Sequence, residues 1–236
     1  MSKKNEYRRL DELSYSVRRY YVDRYFSHQF SQLTGNLKIL DLGGVKGARR
    51  GMFSAENYSF EVKYANIALS AQPDYLCDAT TIPVNDCVFD IVILSEVIEH
   101  VIDPIAVFRE VHRILKPNGK IIMTVPFAFY YHPNPTDFGR YTEEFYRYHL
   151  NRLGFENITI EKQGLFWSTI AEMLKSWIYH CYRNQELKNW QRRLLKKIIL
   201  WFQYRAIQWD KKGLMENNLI YNGYTTGYGI SATKKA

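Results

Sequence analysis

Leu37-Lys-Ile-Leu-Asp-Leu42, running straight into Gly43-Gly44-Val45-Lys46-Gly47, is the stretch that decides the fold of this chain. A short apolar run that stops at glycine reads as a buried strand. A strand that ends in a Gly-rich turn suits a nucleotide-type ligand at the carboxyl edge of a parallel sheet. The glycines let the backbone approach the ligand, and their amides face it.

Outward from there the pattern repeats. Phe60 to Ile67 alternates as a second strand, Tyr75-Leu76-Cys77 is a short third, and Phe89 to Leu94 is a fourth. Asp103-Pro104 opens a helix that places Ile105, Val107, Phe108, Val111, Ile114 and Leu115 on one face and stops at Asn118-Gly119. Lys120 to Val125 is a fifth strand, closed by Pro126. Thr142, followed by Glu143 and Glu144, reads as an N-cap with an acidic first turn, for a helix to about Leu153. Ile158–Glu161 and Gly229–Thr233 are the last strands, and residues 7–33 carry helical spacing upstream of the first.

Strands that alternate with helices imply a parallel sheet with right-handed crossovers. The expected fold is therefore α/β: a Rossmann-like, doubly wound, mostly parallel seven-stranded sheet with a helical insertion before the last strand. Its parts are N-terminal helices in 1–36, a core in 37–165, a basic helical insertion in 166–212 and the completing strand in 213–236.

Composition limits the setting. The chain has 236 residues and three cysteines, Cys77, Cys87 and Cys181, with no ligand spacing. That argues against a disulfide framework or a zinc site and fits a reducing cytoplasm. No apolar run has the length of a membrane span. The net charge of +8 is concentrated. Lys175 to Lys212 holds ten basic residues against Glu186 and Asp210, so this segment accounts for the whole excess and the remainder is neutral.

Four segments in order carry a resemblance: ILDLGGVKG, PDYLCDATTIP, VFDIVILSEVIEHVIDP and FREVHRILKPNGKIIMTVP. From about Leu37 to Phe155 the chain resembles class I methyltransferases that use S-adenosylmethionine (SAM), in the subgroup with an E-x-x-E-H-V segment. The resemblance implies SAM as cofactor and, position by position, a SAM loop of Asp41, Gly43, Gly44 and Gly47. It places Asp78 and Ala79 at the adenine, and Ser95 and Glu96 at the methionine end beside the acceptor. Two positions depart from the pattern. Val45 replaces a usual glycine, and Ala68 stands where an acid normally binds the ribose. The amide oxygen of Asn66, two residues earlier, is the candidate substitute.

Glu96, Glu99 and His100 fall at i, i+3 and i+4, which brings them together if the segment turns helically. Carboxylates and imidazoles so grouped can hold a divalent ion that acidifies a substrate hydroxyl. In some relatives this pattern is associated with a metal and in others not, so no metal is assigned and His100 is a base or a structural residue. The loop His132-Pro-Asn-Pro-Thr-Asp-Phe-Gly-Arg-Tyr-Thr142 supplies a base (His132), an acid (Asp137) and a cation (Arg140). It resembles methyltransferases encoded among bacterial surface-polysaccharide genes, which implies a sugar hydroxyl on a nucleotide sugar or lipid-linked glycan. Two alternatives stand beside that reading. One is a metal-assisted RNA 2′-O-methyltransferase; the other is a SAM-binding, membrane-associated scaffold without activity.

In the basic segment, Leu187, Trp190, Leu194, Ile198 and Trp201 form one helical stripe, and Leu195, Ile199, Phe202, Ala206 and Trp209 an adjacent one. With Lys and Arg around them they suit either packing within the protein or its dimer, or peripheral contact with the inner face of a plasma membrane through 187–209. Nucleic acid is disfavoured, because the neutral body offers no extended basic surface.

Overall fold

A computed structural model describes residues 12–47, 51–133, 135–184, 186–213 and 219–236. Residues 7–11 of the expected first helix and Asn134 of the loop after the fifth strand lie outside them. The elements are α1 (Val17–Ser31), β1 (Lys38–Leu42), β2 (Glu61–Asn66), β3 (Tyr75–Leu76), β4 (Phe89–Ser95), α2 (Pro104–Ile114), β5 (Leu115–Pro126), α3 (Glu143–Arg152), β6 (Phe155–Lys162), α4 (Phe166–Arg183), α5 (Asn189–Gly213), α6 (Leu219–Asn222) and β7 (Gly227–Lys234).

The strands form one seven-stranded sheet in the order β3-β2-β1-β4-β5-β7-β6. β1 runs parallel to β2 and to β4, β2 to β3, and β4 to β5. This is the expected Rossmann-like fold, with α4 and α5 between the last two strands. The order reverses between β1 and β4, so a crevice opens at their carboxyl ends. Leu40, Val92, Leu94, Ile121 and Met123 are fully buried, and Val107, Phe108, Val111 and Ile114 of α2 pack into the same core.

One boundary differs from the sequence reading. The helix expected to run to Asn118-Gly119 ends at Ile114, and Leu115 is already extended. Pro117 explains the difference: it pushes the residue before it away from helical backbone. Residues 115–119 instead begin β5 with a register irregularity, Phe89 facing Leu115 and Ile91 facing Lys120. Asn118 there takes a left-handed φ of 62°. Asp103 caps α2 as expected, accepting from Ala106 N at 2.9 Å. Thr142 occupies the N-cap of α3 in extended conformation but makes no side-chain capping bond.

The described residues divide into two units. One comprises those of Met1–Val22, Ala128–Tyr130 and Lys162–Gly227; the other comprises those of Asp23–Phe127, Tyr131–Glu161 and Tyr228–Ala236. The first holds α4 and α5, joined by a buried polar seam. The Asp210 carboxylate of α5 accepts from the backbone N–H groups of Leu165, Trp167 and Ser168, at 2.8, 3.0 and 2.9 Å, and so caps the start of α4. Lys175 donates to Gln203 Oε1 at 2.8 Å and to the Tyr15 carbonyl at 2.5 Å. Glu172 accepts from Arg18 N at 2.9 Å, and burial pushes its carboxyl pKa up. The second unit carries the candidate site.

Candidate active site

Two loops meet at the reversal of strand order. After β1, Gly43 has φ 87° and Gly47 φ 70°, so the left-handed positions fall on glycines and Val45 is accommodated without one. A Cβ on Gly43 would stand 2.5 Å from Val97 of the loop after β4, and one on Gly44 would stand 2.3 Å from the Asp41 carboxyl carbon. A side chain at either position would force Val97 or the Asp41 carboxylate to move. At Gly47 a Cβ would meet nothing within 4 Å among the described residues, so the loop is open on their side.

Asn66, the last residue of β2, braces this loop. Its Nδ2 donates to the Gly43 and Gly44 carbonyls at 3.1 and 2.9 Å, while Oδ1 accepts from Ala68 N at 2.9 Å. A ribose hydroxyl would share Oδ1 with that amide. Asp78 is exposed beyond β3. Its Oδ1 accepts from Thr80 N and Oγ1, and these bonds hold its pKa below the usual carboxylate range. Ala79 beside it is half-buried. Ser95 ends β4 opposite Thr124, and Glu96 follows in left-handed backbone (φ 57°).

The residues present fit the implied cofactor: a glycine loop open at Gly47, an ionised carboxylate past β3, and polar groups past β4. Sequence reasoning missed Ile67 and Leu69, which stand 66% and 73% exposed just past β2. Large apolar side chains left in water at this edge suit the flat faces of an adenine. In the sequence they are indistinguishable from core residues.

The acceptor side is built where the turn after β4 meets the loop after β5. Ile98–His100 form a single 3-10 turn. The downstream loop is stitched to it: Phe138 N donates to the Glu99 carbonyl at 2.7 Å, and Thr136 Oγ1 to the His100 carbonyl at 3.2 Å. Residues 32 positions apart are thereby brought face to face. The Glu99 carboxylate is buried, 3.6 Å from His100 Nε2 and 4.0 Å from His132 Nε2. One ligand atom from each of the three lies within 4.8 Å of the others, a geometry able to hold a metal ion. Glu96, included in the sequence's metal set, lies outside that group, and His132 takes its place.

Hydrogen bonds favour one proton position on each ring. His100 Nδ1 bonds the Thr136 carbonyl, which can only accept, so Nδ1 carries the proton and Nε2 a lone pair. His132 Nδ1 faces the Asp137 carboxylate at 3.4 Å and Arg140 Nη2 at 3.3 Å. The Arg140 fork already holds Asp137 through both oxygens, at 2.5 and 2.9 Å. Asp137 also accepts from His132 N at 2.9 Å. The guanidinium first, and the His132 amide with it, lowers the Asp137 pKa to about 2. Arg140 can only donate, so its bond makes His132 Nδ1 the acceptor and leaves the proton of the neutral ring on Nε2, which faces the Glu99 carboxylate.

Comparison with known proteins follows from these features. Residues 51–123 match the family model of a methyltransferase domain. Three solved structures share its fold. They are a SAM-dependent methyltransferase from Archaeoglobus fulgidus (16% identity, 92% of this chain and 94% of that one, TM-score 0.56), the 1,6-didemethyltoxoflavin-N1-methyltransferase of Burkholderia thailandensis with bound 1,6-didemethyltoxoflavin and S-adenosylhomocysteine (11%, 93% and 79%, 0.53), and a phosphoethanolamine N-methyltransferase of Haemonchus contortus with phosphomonomethylethanolamine and S-adenosylhomocysteine (15%, 90% and 53%, 0.56). At these identities the likeness establishes the fold, and the chain spans about half the length of the Haemonchus protein. No curated protein matches the sequence.

Proposed function

We propose that this protein is a SAM-dependent methyltransferase that methylates a hydroxyl group, with a carbohydrate as acceptor. The cofactor would supply an electrophilic methyl group on a sulfonium; Gly43, Gly44, Gly47, Asp41 and Asp78 would hold it, with Asn66 bracing the loop and Ser95 and Glu96 at the methionine end. The single observation that carries the hydroxyl reading is the convergence of Glu99, His100 and His132. An amine attacks through its own lone pair, whereas an alcohol needs a base to take its proton.

One carboxylate and two imidazoles lie within 4.8 Å of one another, so a proton taken by one is shared with the others. His100 Nε2 takes the hydroxyl proton, and Glu99 beside it stabilises the imidazolium that results. Asp137 and Arg140 position His132. Tyr131 and Phe138, on the same loop, are 73% and 51% exposed and offer apolar ring faces to a sugar.

The test is methyl transfer from labelled SAM to a panel of nucleotide sugars and lipid-linked glycans, alongside amines. His100→Ala is expected to lower kcat by about 10²–10⁴-fold while SAM affinity, measured by calorimetry, stays within about twofold. Full turnover by that variant, or turnover confined to amines, refutes the base assignment. A second reading rests on the same three side chains: a divalent ion held by Glu99, His100 and His132 would acidify the hydroxyl itself. This is the form in which a 2′-hydroxyl of RNA enters as acceptor. Activity lost to a chelator and restored by added Mn²⁺ or Mg²⁺ selects it; activity indifferent to chelation selects the metal-free base.

A further inference from the structure

The 25-residue helix α5 is apolar on two opposite faces. Ile199, Ala206 and Ile207, with Gln203 and Asp210, are at most 3% exposed and form its inward face. Trp190, Leu194, Ile198 and Trp201, spaced 4, 4 and 3 residues apart, are 63%, 50%, 51% and 60% exposed. At 100° per residue this second stripe lies on the far side of the helix from the buried one. Packing among the described residues therefore accounts for the first stripe and not for the second. An outward stripe about 16 Å long, with an indole near each end, costs solvation unless something covers it.

Charge narrows what that is. α5 carries Arg192, Arg193, Lys196, Lys197, Arg205, Lys211 and Lys212 against one acid, Asp210, which is turned inward. Arg193 and Lys197 border the exposed stripe, and Arg205 follows Trp201 by one turn; all three are exposed. A second copy docked on this face about a two-fold axis would set the same cations against each other. An RNA would satisfy the cations and leave the Trp-Leu-Ile stripe in water. A lipid surface with anionic headgroups answers both at once: phosphates meet the flanking cations and the acyl boundary receives the stripe. No helix among the described residues is long and apolar enough to cross a membrane, so contact by α5 is interfacial. On α4, Met173, Leu174 and Trp177 are also exposed, at 57%, 42% and 55%.

We infer that α5 docks this protein on an anionic lipid bilayer, through the stripe Trp190-Leu194-Ile198-Trp201 and the cations beside it. The inference holds whichever acceptor is methylated. The experiment is flotation of the full-length protein with vesicles of phosphatidylcholine alone and with about 30% phosphatidylglycerol. Binding is expected to the anionic vesicles only and to weaken in high salt. The variant Trp190→Ser/Trp201→Ser, and separately Arg193→Glu/Lys197→Glu, should each reduce it at least about tenfold. These side chains are exposed, so circular dichroism and the thermal midpoint should be unchanged. Three outcomes overturn the inference. They are no flotation of the native protein on anionic vesicles, flotation that both variants retain, and a native dimer that the tryptophan variant converts to monomers without any vesicle binding.

Discussion

The two units of this protein distribute polarity in opposite ways. The sheet unit buries Leu40, Val92, Phe108 and Ile121 completely and gathers its charged chemistry at one edge, around Glu99, His132 and Asp137. The helical unit buries Arg18, Glu172, Lys175, Gln203 and Asp210 to 3% exposure or less, and leaves Trp177, Trp190, Leu194, Ile198 and Trp201 half exposed or more. An apolar interior draws stability from burial and tolerates any side chain of suitable volume. A polar seam contributes less net stability, because each buried charge must be matched by a fitted partner, but it fixes how two helices sit against each other. The difference teaches that the helical unit divides its apolar area between an inward stripe and the exterior, whereas the sheet strands commit theirs to the core.

The comparison breaks most visibly at Asp210. Asp210→Ala removes the acceptor of three backbone N–H groups at the start of α4 and is expected to destabilise the helical unit by about 3 kcal/mol. Asp210→Asn, which keeps one acceptor oxygen, should cost roughly half as much. All five tryptophans, 167, 177, 190, 201 and 209, belong to that unit, so their emission in a urea titration reports it separately from the sheet. A loss below about 1 kcal/mol would show that the inward stripe of Ile199, Ala206 and Ile207 holds α5 without the seam.

The edge chemistry of the sheet unit gives a smaller, pH-dependent effect. Asp137 has its pKa lowered from 3.8 to about 2, chiefly by Arg140. A depressed carboxylate pKa contributes stability that is fully present above the unfolded value and lost as pH falls through the folded one. Asp137→Asn should therefore cost about 2 kcal/mol at pH 7, and the cost should shrink below pH 4 and be nearly gone by pH 2. Urea midpoints by far-ultraviolet circular dichroism, for both proteins at pH 7 and pH 3, measure this. A difference that stays constant with pH would mean that Asp137 holds the loop by shape rather than by charge.

Much of the sheet unit is legible in the sequence, because strands buried on both faces read as unbroken apolar runs bounded by glycine, proline or charge. Leu37–Leu42 and Phe89–Leu94 needed nothing else. The start of β5 was hidden because Val111, Ile114 and Leu115 continue a helical stripe, and only the backbone restriction imposed by Pro117 ends it. At the site, Glu99, His100 and His132 are individually visible, yet their meeting depends on the Phe138–Glu99 and Thr136–His100 bonds, which no spacing encodes. In α5 the sequence shows two adjacent apolar stripes without telling which faces inward. The partners that decide it, Leu165, Trp167 and Ser168 for Asp210, lie more than 40 residues away.

The smallest effect concerns the bridge between β2 and the glycine loop. Asn66→Ala deletes two bonds to the Gly43 and Gly44 carbonyls and the acceptor for Ala68 N, while leaving every other group around the loop in place. Neutral hydrogen bonds of this kind are worth about 1 kcal/mol each, and the exposed loop can replace part of them with water. SAM affinity by calorimetry should fall about three- to tenfold, with the unfolding midpoint of the sheet unit nearly unchanged. Asn66→Asp separates bracing from direct contact. A carboxylate cannot donate to the two carbonyls, but it is a stronger acceptor for ribose hydroxyls. If Asn66→Asp binds SAM more tightly than the native protein, contact with the cofactor outweighs bracing; if it binds as weakly as the alanine variant, the side chain acts through the loop.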